Sequence, residues 1–338
     1  MHAVFLDKQT FSSSITLVSI EQHVTKLSCY NTSHTEDVLA RCIDADIILT
    51  NKVVLNAELL SALPKLKLIC ITATGYNNVD LAAAKKHNIA VTNVSGYAGS
   101  SVAQYVFAQL LEYYQKTTHH NANTEQGLWS DCDTFCYQGD SISELAGKTL
   151  GIVGYGSLGQ AVANIARAFS MRVLISERPN TRKIRPERVS FEQVIQEADV
   201  LTLHCPQTPE TEKLINADVL SKMKSSAVLV NTARGALVDE LALLEALKTK
   251  DIAYAILDVL SQEPPPADHP LLSINLDTQL NKELNPDQKA QENNKLSNLK
   301  VTAHIAWASK EAQQRLIELV AKNIADFTLG KNTNRLDS

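Results

Sequence analysis

Three closely spaced glycines join an apolar run to an amphipathic run near the middle of this chain of 338 residues. Gly154, Gly156 and Gly159 follow TLGIV, which has the composition of a buried strand, and they open QAVANIARAF, which has helical spacing. Glycine permits a tight turn and a close approach of helix to strand, which few other residues allow. The chain is therefore expected to contain parallel strands that are joined through helices.

The same alternation of short apolar runs and longer amphipathic runs extends over most of the chain. The predicted strands before the glycine turn include ADIILT, LKLICITAT and IAVTNV, and those after it include MRVLISE, ADVLTLHCP, SAVLVNTA, IAYAILDVL and LKVTAH. The later runs end in polar, Gly or Pro residues, as strands that are buried on both faces do. This pattern indicates an α/β fold of doubly wound parallel sheets.

The length of the chain favours two domains, because one hydrophobic core seldom extends over so many residues. We predict two Rossmann-like doubly wound parallel-sheet domains with the active site in the cleft between them. The first comprises residues 1–99, completed by 309–338, and the second comprises 100–308. Residues 273–298 are rich in Asn, Gln, Lys and Glu, and they are predicted to form a polar insertion in the second domain.

The composition argues against several classes of protein. A net charge of −5 gives no reason to expect a nucleic-acid partner, and no apolar stretch is long enough for a membrane helix. The N-terminus lacks the basic flank and long apolar centre of a signal peptide. The cysteines are few and scattered, so a reduced, cytoplasmic setting is expected. Cys132 and Cys136 have no second ligand pair nearby, and no metal site is predicted.

The glycine turn is also a candidate dinucleotide site, because it can aim a helix N-terminus at a pyrophosphate. The next predicted strand ends in Glu177, whose carboxylate can accept the ribose hydroxyls of NAD and would repel the 2′-phosphate of NADP. Arg178 follows directly, and a guanidinium there could stack on adenine or hold that phosphate. NAD is favoured, and NADP or the use of both stays open. The alternative is a turn that serves only the packing of helix on sheet.

Three further segments, VNTARGALVDE, LDVLSQEPPP and VTAHIAWAS, carry ionisable residues where strands should end. In open α/β sheets, ligands bind outside the carboxyl ends of the strands, so Arg234, Glu263 and His304 are expected to converge on one crevice. Arg234 could instead form a surface ion pair, and His304 could be a satisfied core histidine. His204 in TLHCP is a rival for the catalytic base, because it also ends a strand.

The motifs GYGSLG, HCPQTPET, NTARG, LDVLSQEPPP and HIAWAS, in this order, resemble the D-isomer-specific 2-hydroxyacid dehydrogenases, and most closely the glycerate dehydrogenase or hydroxypyruvate reductase branch. The resemblance spans nearly the whole chain, and it implies that a 2-keto acid is reduced by hydride transfer. Arg234 would clamp the substrate carboxylate through a bidentate fork, since Lys cannot copy that geometry. His304 would donate a proton to the keto oxygen, and Glu263 would hold the imidazole ring.

The resemblance also implies which residues contact the cofactor and the substrate. The implied cofactor residues are Gly154, Gly156, Ser157, Leu158, Gly159, Glu177, Arg178, Cys205, Pro206, Thr211, Thr232, Ala233, Asp258 and Ala306. The implied substrate residues are Ala73, Thr74, Gly75, Tyr76, Arg234 and Trp307. Asp258 is expected to bind the nicotinamide amide, and backbone N–H groups of the loop at Gly75 are expected to bind the substrate carboxylate. Trp307 would shape a pocket for short, polar substrates, although it could serve packing alone.

Together these features predict an NAD(P)-dependent enzyme that reduces hydroxypyruvate or glyoxylate to D-glycerate or glycolate. The alternatives are a reductase of another short 2-keto acid and an NAD-sensing module like the corepressor relatives of the family. The resemblance also implies a homodimer formed mainly through the cofactor domains. Ala303 stands where the family usually has Pro. Glu263 and His304 lie 41 positions apart in the sequence. We predict that the polar insertion loops outward and leaves this pair intact, since a long surface loop costs little entropy.

Overall fold

The computed structural model describes residues 1–181, 183–272 and 297–336. The chain divides into two compact units. The first comprises 1–98 together with 307–338, and the second comprises 99–306. The sequence-based boundaries lie close to these limits. The predicted polar insertion lies outside the described residues, except for Ser297 and Asn298, which directly precede the last strand.

The first unit is built on a parallel five-stranded sheet with the strand order β2-β1-β3-β4-β5. Its strands are β1 (His2–Phe5), β2 (Lys26–Cys29), β3 (Ile47–Thr50), β4 (Leu68–Ile71) and β5 (Ala90–Thr92). Its helices, numbered along the whole chain, are α1 (Val18–Glu21), α2 (Thr35–Cys42), α3 (Ala57–Ser61), α4 (Leu81–Lys86) and α11 (Lys310–Thr328). Every residue of β3 and β4 is buried, because helices and loops cover the sheet on both faces as the apolar runs predict.

The second unit is built on a parallel six-stranded sheet with the order β11-β10-β9-β8-β6-β7. Its strands are β6 (Thr149–Val153), β7 (Arg172–Ile175), β8 (Val200–Leu203), β9 (Val228–Asn231), β10 (Tyr254–Leu257) and β11 (Leu299–Val301). Its helices are α5 (Gly99–Gln115), α6 (Thr117–Glu125), α7 (Ser157–Ala168), α8 (Phe191–Glu197), α9 (Ala217–Leu220) and α10 (Glu240–Thr249). The predicted α/β class with parallel sheets is confirmed, and the strand order reverses at β6, where ligands of such sheets bind.

Helix α5 supports the glycine turn of the second unit. Its buried positions Val102, Val106 and Leu110 recur once per helical turn, so they form the apolar stripe that the sequence predicts. Helix α5 packs against α7, and a Cβ placed on Gly99 would lie 3.8 Å from the Cβ of Ala161. The start of α5 therefore lies beside the helix that follows the glycine turn.

Across the described ranges, no helix is both long enough and apolar enough to cross a membrane. The same ranges contain no group of three or more His, Cys, Asp or Glu side chains that could hold a metal ion.

Candidate active site

The glycine turn lies between β6 and α7, as the sequence predicts. Gly154 has a positive φ of 96°, and a Cβ there would lie 2.4 Å from the backbone nitrogen of Cys205. A Cβ on Gly159 would lie 2.2 Å from the carbonyl oxygen of Gly154, so both positions require glycine. Gly156 differs, because its Cβ would meet no atom within 4 Å. Open space at Gly156, at the N-terminus of α7, suits the close approach of a pyrophosphate.

Thr232, directly after β9, gives a second indication that a ligand belongs at this edge of the sheet. Its hydroxyl is buried and has no hydrogen-bond partner within the described part of the chain. A buried hydroxyl without a partner is costly, so this atom suits a polar ligand group. The residues present thus fit the dinucleotide that the glycine turn predicts.

Thr211 organises the loop after β8 that was assigned to the cofactor. Its hydroxyl donates to the carbonyl oxygen of Pro206 at 2.8 Å and accepts the backbone N–H of Thr208 at 2.7 Å. Burial raises the pKa of the Cys205 thiol to about 11, so this side chain stays protonated at neutral pH. Cys205 and Pro206 are therefore neutral groups, and their contact with the cofactor stays a prediction.

The sequence predicts that the Glu177 carboxylate accepts ribose hydroxyls, but in the structure this carboxylate already accepts hydrogen bonds from the chain itself. Its Oε1 accepts the backbone N–H of Arg178 at 2.9 Å and a guanidinium N–H of Arg185, and its Oε2 accepts Nε of Arg185 at 2.7 Å. The side chain is 3% exposed, and Arg185 holds the pKa of the carboxyl well below its usual range. The sequence does not predict this cation, which neutralises the carboxylate, and the contact of Glu177 with the cofactor stays a prediction.

His304 and Glu263 meet beyond the ends of β11 and β10. The ring Nδ1 of His304 lies 2.7 Å from Oε2 of Glu263, and Oε1 of Glu263 accepts the backbone N–H of Leu260 at 3.0 Å. Because an ionised carboxylate only accepts hydrogen bonds, Nδ1 carries a proton and Nε2 is the nitrogen left for other chemistry. The His304 side chain is 27% exposed, so the ring is not enclosed in the core.

Asp258, at the end of β10, holds the turn that carries His304. Its Oδ1 accepts the hydroxyl of Thr302 at 2.6 Å and the N–H of Ile305 at 2.9 Å, and its Oδ2 accepts the N–H of Ala306 at 2.8 Å. Its backbone oxygen accepts the N–H of His304 at 2.7 Å. His304 has a positive φ of 54°, a conformation that needs such support in a residue other than glycine. This positioning role was missed by the sequence analysis, and the nicotinamide contact of Asp258 stays a prediction.

Arg234 follows β9, the strand next to β10. One guanidinium nitrogen donates to the carbonyl oxygen of Ala233 at 2.7 Å, and the side-chain amide of Asn231 donates to the carbonyl oxygen of Arg234 at 2.8 Å. A Cβ on Gly235 would lie 1.9 Å from the carbonyl carbon of Leu260, so the turn after Arg234 touches the loop before Glu263. The segments that carry Arg234, Glu263 and His304 thus leave the same edge of three adjacent strands.

His204, the rival base, is partly buried after β8. Its Nε2 lies 3.0 Å from the hydroxyl of Thr202, and burial lowers the pKa of the imidazole to about 4. A ring that is neutral at physiological pH and lacks a carboxylate partner is a poorer proton donor than His304.

The predicted substrate residues other than Arg234 belong to the first unit. Thr74 donates its hydroxyl to the carbonyl oxygen of Val94 at 2.9 Å, which fixes the loop after β4. Trp307 packs edge-on against Phe11 and Tyr97, with ring centroids 5.7 and 6.2 Å away. These contacts favour a packing role for Trp307, and the assigned substrate contacts of this unit stay predictions.

The chain is similar to known proteins in both sequence and structure. The family model described as "D-isomer specific 2-hydroxyacid dehydrogenase, NAD binding domain" matches residues 107–280. A glycerate dehydrogenase of Methylorubrum extorquens is 37% identical over 99% of this chain and 98% of its own length. A hydroxypyruvate reductase of Blautia hydrogenotrophica is 35% identical over 88% of this chain and 87% of its own. The crystal structure of a Thermus thermophilus protein has 31% identity and a TM-score of 0.80, with 99% of this chain and 100% of that chain covered.

Proposed function

Because the chain belongs to the family of D-isomer specific 2-hydroxyacid dehydrogenases, we propose that it reduces hydroxypyruvate or glyoxylate to D-glycerate or glycolate with NADH or NADPH. The observation that carries this proposal is the contact of 2.7 Å between His304 and Glu263 at the sheet edge that holds the glycine turn. Relatives named glycerate dehydrogenase and hydroxypyruvate reductase support the choice of substrate.

The glycine turn, Thr232 and the loop at Thr211 would hold the dinucleotide. The reduced nicotinamide supplies a hydride to the keto carbon when it is bound. The guanidinium of Arg234 binds the substrate carboxylate, and this charge also polarises the neighbouring keto group. Cofactor and substrate are thereby oriented by groups that follow neighbouring strands of one sheet.

His304 supplies the proton that the reduction requires. In the protonated ring, Nδ1–H donates to Glu263 and Nε2–H donates to the keto oxygen, which becomes the hydroxyl of the product. The ring is left neutral and takes a proton from solvent before the next turnover. Glu263 stabilises the charged ring and fixes its orientation, because its own second oxygen is held by the N–H of Leu260.

The contacts of Glu177 bear on the choice of cofactor. An acid that selects NAD must offer lone pairs to the ribose and a net negative charge to repel a 2′-phosphate. Arg185 occupies these lone pairs and neutralises this charge. We propose on this ground that NADH and NADPH both bind, with Arg178 and Arg185 beside the 2′-position.

A panel of short 2-keto acids tests the function directly. Purified protein is mixed with NADH or NADPH and with hydroxypyruvate, glyoxylate, pyruvate or phenylpyruvate, and oxidation of the cofactor is followed by absorbance. Highest kcat/KM with hydroxypyruvate or glyoxylate is expected. A protein that binds NADH and oxidises it with none of the four acids would instead be the NAD-sensing module. The homodimer, the cytoplasmic location and the passive role of the insertion stay predictions.

A further inference from the structure

We propose that Glu240, the first residue of α10, is a positioning residue for the Glu263–His304 pair. Glu240 ends the segment VNTARGALVDE, but the sequence analysis gives it no role, and its carboxylate reaches away from α10 to the loop that carries Glu263. This inference rests on the proposed function, because it takes the two partners of the pair as the proton-donating unit.

The Glu240 carboxylate joins the two flanks of the Glu263 loop. Its Oε1 accepts the backbone N–H of Ser261 at 2.7 Å, and its Oε2 accepts the Ser261 hydroxyl at 2.6 Å. The same Oε2 lies 3.2 Å from Nε2 of His269. Ser261 precedes Glu263 and His269 follows it, so one carboxylate ties both sides of the loop to a helix.

Three groups face the Glu240 side chain as donors, namely the backbone N–H of Ser261, the hydroxyl of Ser261 and Nε2 of His269. A carboxylate can accept from all three, because both of its oxygens are acceptors. Nδ1 of His269 lies 3.3 Å from the backbone nitrogen of Leu271 and accepts its hydrogen, so Nε2 must carry the proton and donate to Glu240. The side chains of His269 and Glu240 are only 6% and 15% exposed, so water cannot easily replace the acceptor that Nε2 of His269 would lose. An amide at this position would point its own N–H groups at one or more of the three donors.

The loop needs such a clamp because its own backbone forms neither helix nor strand around Glu263. The turn after Arg234 packs against the same loop, since Gly235 lies against the carbonyl group of Leu260 and the nitrogen of Ser261. Glu240 begins α10, three positions after that turn ends at Leu237. The clamp therefore fixes the position of Glu263 relative to Arg234, and through Glu263 it fixes the ring of His304.

Glu240→Gln tests the clamp, with Glu245→Gln as the matched control. Glu245 lies on the same helix, but within the described residues its carboxylate pairs with the exposed Lys248 at 2.9 Å. We expect kcat of Glu240→Gln to fall about tenfold or more, because small displacements of catalytic groups have large effects on rate. The dissociation constant of NADH, measured by fluorescence, and KM for hydroxypyruvate should stay within about twofold of wild type. Glu240→Asp keeps the acceptors and should recover part of the rate.

A double-mutant cycle with His304→Ala separates positioning from general structural damage. If Glu240 acts through His304, then Glu240→Gln will not lower the residual rate of His304→Ala any further. A loss of the same factor in both backgrounds would overturn the positioning role while leaving the proposed function intact. Full turnover by His304→Ala alone would reject His304 as the proton donor, and this inference with it, while the reduction of hydroxypyruvate itself would stand. If Glu240→Gln does not fold, Ser261→Ala, which removes one of the three donors, takes its place in the cycle with the same outcomes.

Discussion

Nδ1 of His304 and Oε2 of Glu263 lie 2.7 Å apart, although the two residues are 41 positions apart in the sequence. The two side chains follow adjacent parallel strands, β11 and β10, so the sheet brings them together whatever the length of the chain between them. This contact determines which ring nitrogen can donate a proton to a substrate, and it therefore underlies the proposed reaction.

Glu263→Gln should lower kcat by roughly 10²-fold, within the range that general acid catalysis contributes. The amide keeps the shape of the side chain but loses the charge that stabilises a protonated ring. Steady-state kinetics with hydroxypyruvate and NADH, together with NADH binding, would measure this effect. A kcat equal to that of wild type, with any loss confined to NADH binding, would contradict the assigned role.

Gly156→Ala should leave the folded protein intact and weaken cofactor binding about tenfold or more, a change of about 1.4 kcal/mol. Gly156 has φ −84°, which alanine adopts readily, and its Cβ would enter open space. That space is where a pyrophosphate would approach the turn. Thermal unfolding and titration with NADH are the two measurements, and unchanged affinity would place the dinucleotide elsewhere.

Arg185→Met should raise the ratio of the NADPH to the NADH dissociation constant by at least about tenfold. The substitution removes a cation and leaves the Glu177 carboxylate unpaired where the 2′-phosphate would lie. Arg172→Met is the control, because Arg172 lies on β7, the strand that precedes Glu177, and pairs with Glu197 at 2.7 Å on the surface. Equal ratios for wild type and Arg185→Met would show that the pair has no part in the choice of cofactor.

Asp326→Asn should lower the free energy of unfolding at neutral pH. The difference in this free energy between wild type and variant should become smaller in acid. Lys322 and Lys331 lie 2.5 and 3.1 Å from its carboxylate oxygens, and together with Thr333 they hold the pKa of this carboxyl well below its usual range. A depressed pKa stabilises the folded state above the unfolded pKa of about 3.9, and this stabilisation is lost progressively as pH falls below that value.

Urea unfolding at several pH values measures this effect for wild type and Asp326→Asn. Asp218→Asn is the control, because Asp218 forms an exposed pair with Lys222 on the surface of α9. A difference between wild type and Asp326→Asn that stays constant into strong acid would refute the assignment.

Much of this site follows from the sequence, because it depends on local patterns. The apolar runs identify the strands, the glycines identify the turn, and parallel strands place Glu263 and His304 at one edge. The contact of Arg185 with Glu177 could not be read in the same way. It depends on a loop that returns to the end of β7, where Val189 pairs with Ser176. The one indication of this contact in the sequence is the cation-rich segment TRKIRPER after Glu177.

The sequence also could not predict which groups the side chains of individual Asp and Glu residues contact. Asp258 was assigned to the nicotinamide, yet in the structure it accepts three donors from the turn around His304. Glu240 had no assignment, because its partner Ser261 is distant in sequence and serine gives no pattern of its own. Such contacts depend on side-chain geometry across loops, which neither periodicity nor motif spacing encodes.

The most direct test of the proposed reaction is kcat of His304→Ala with hydroxypyruvate and NADH, beside the affinity of this variant for NADH. The exposed His87 supplies the control substitution, His87→Ala. We expect kcat of His304→Ala to fall by roughly 10²- to 10⁴-fold with NADH affinity unchanged, because the proton donor is lost and the glycine turn is intact. A kcat equal to that of wild type would contradict the account.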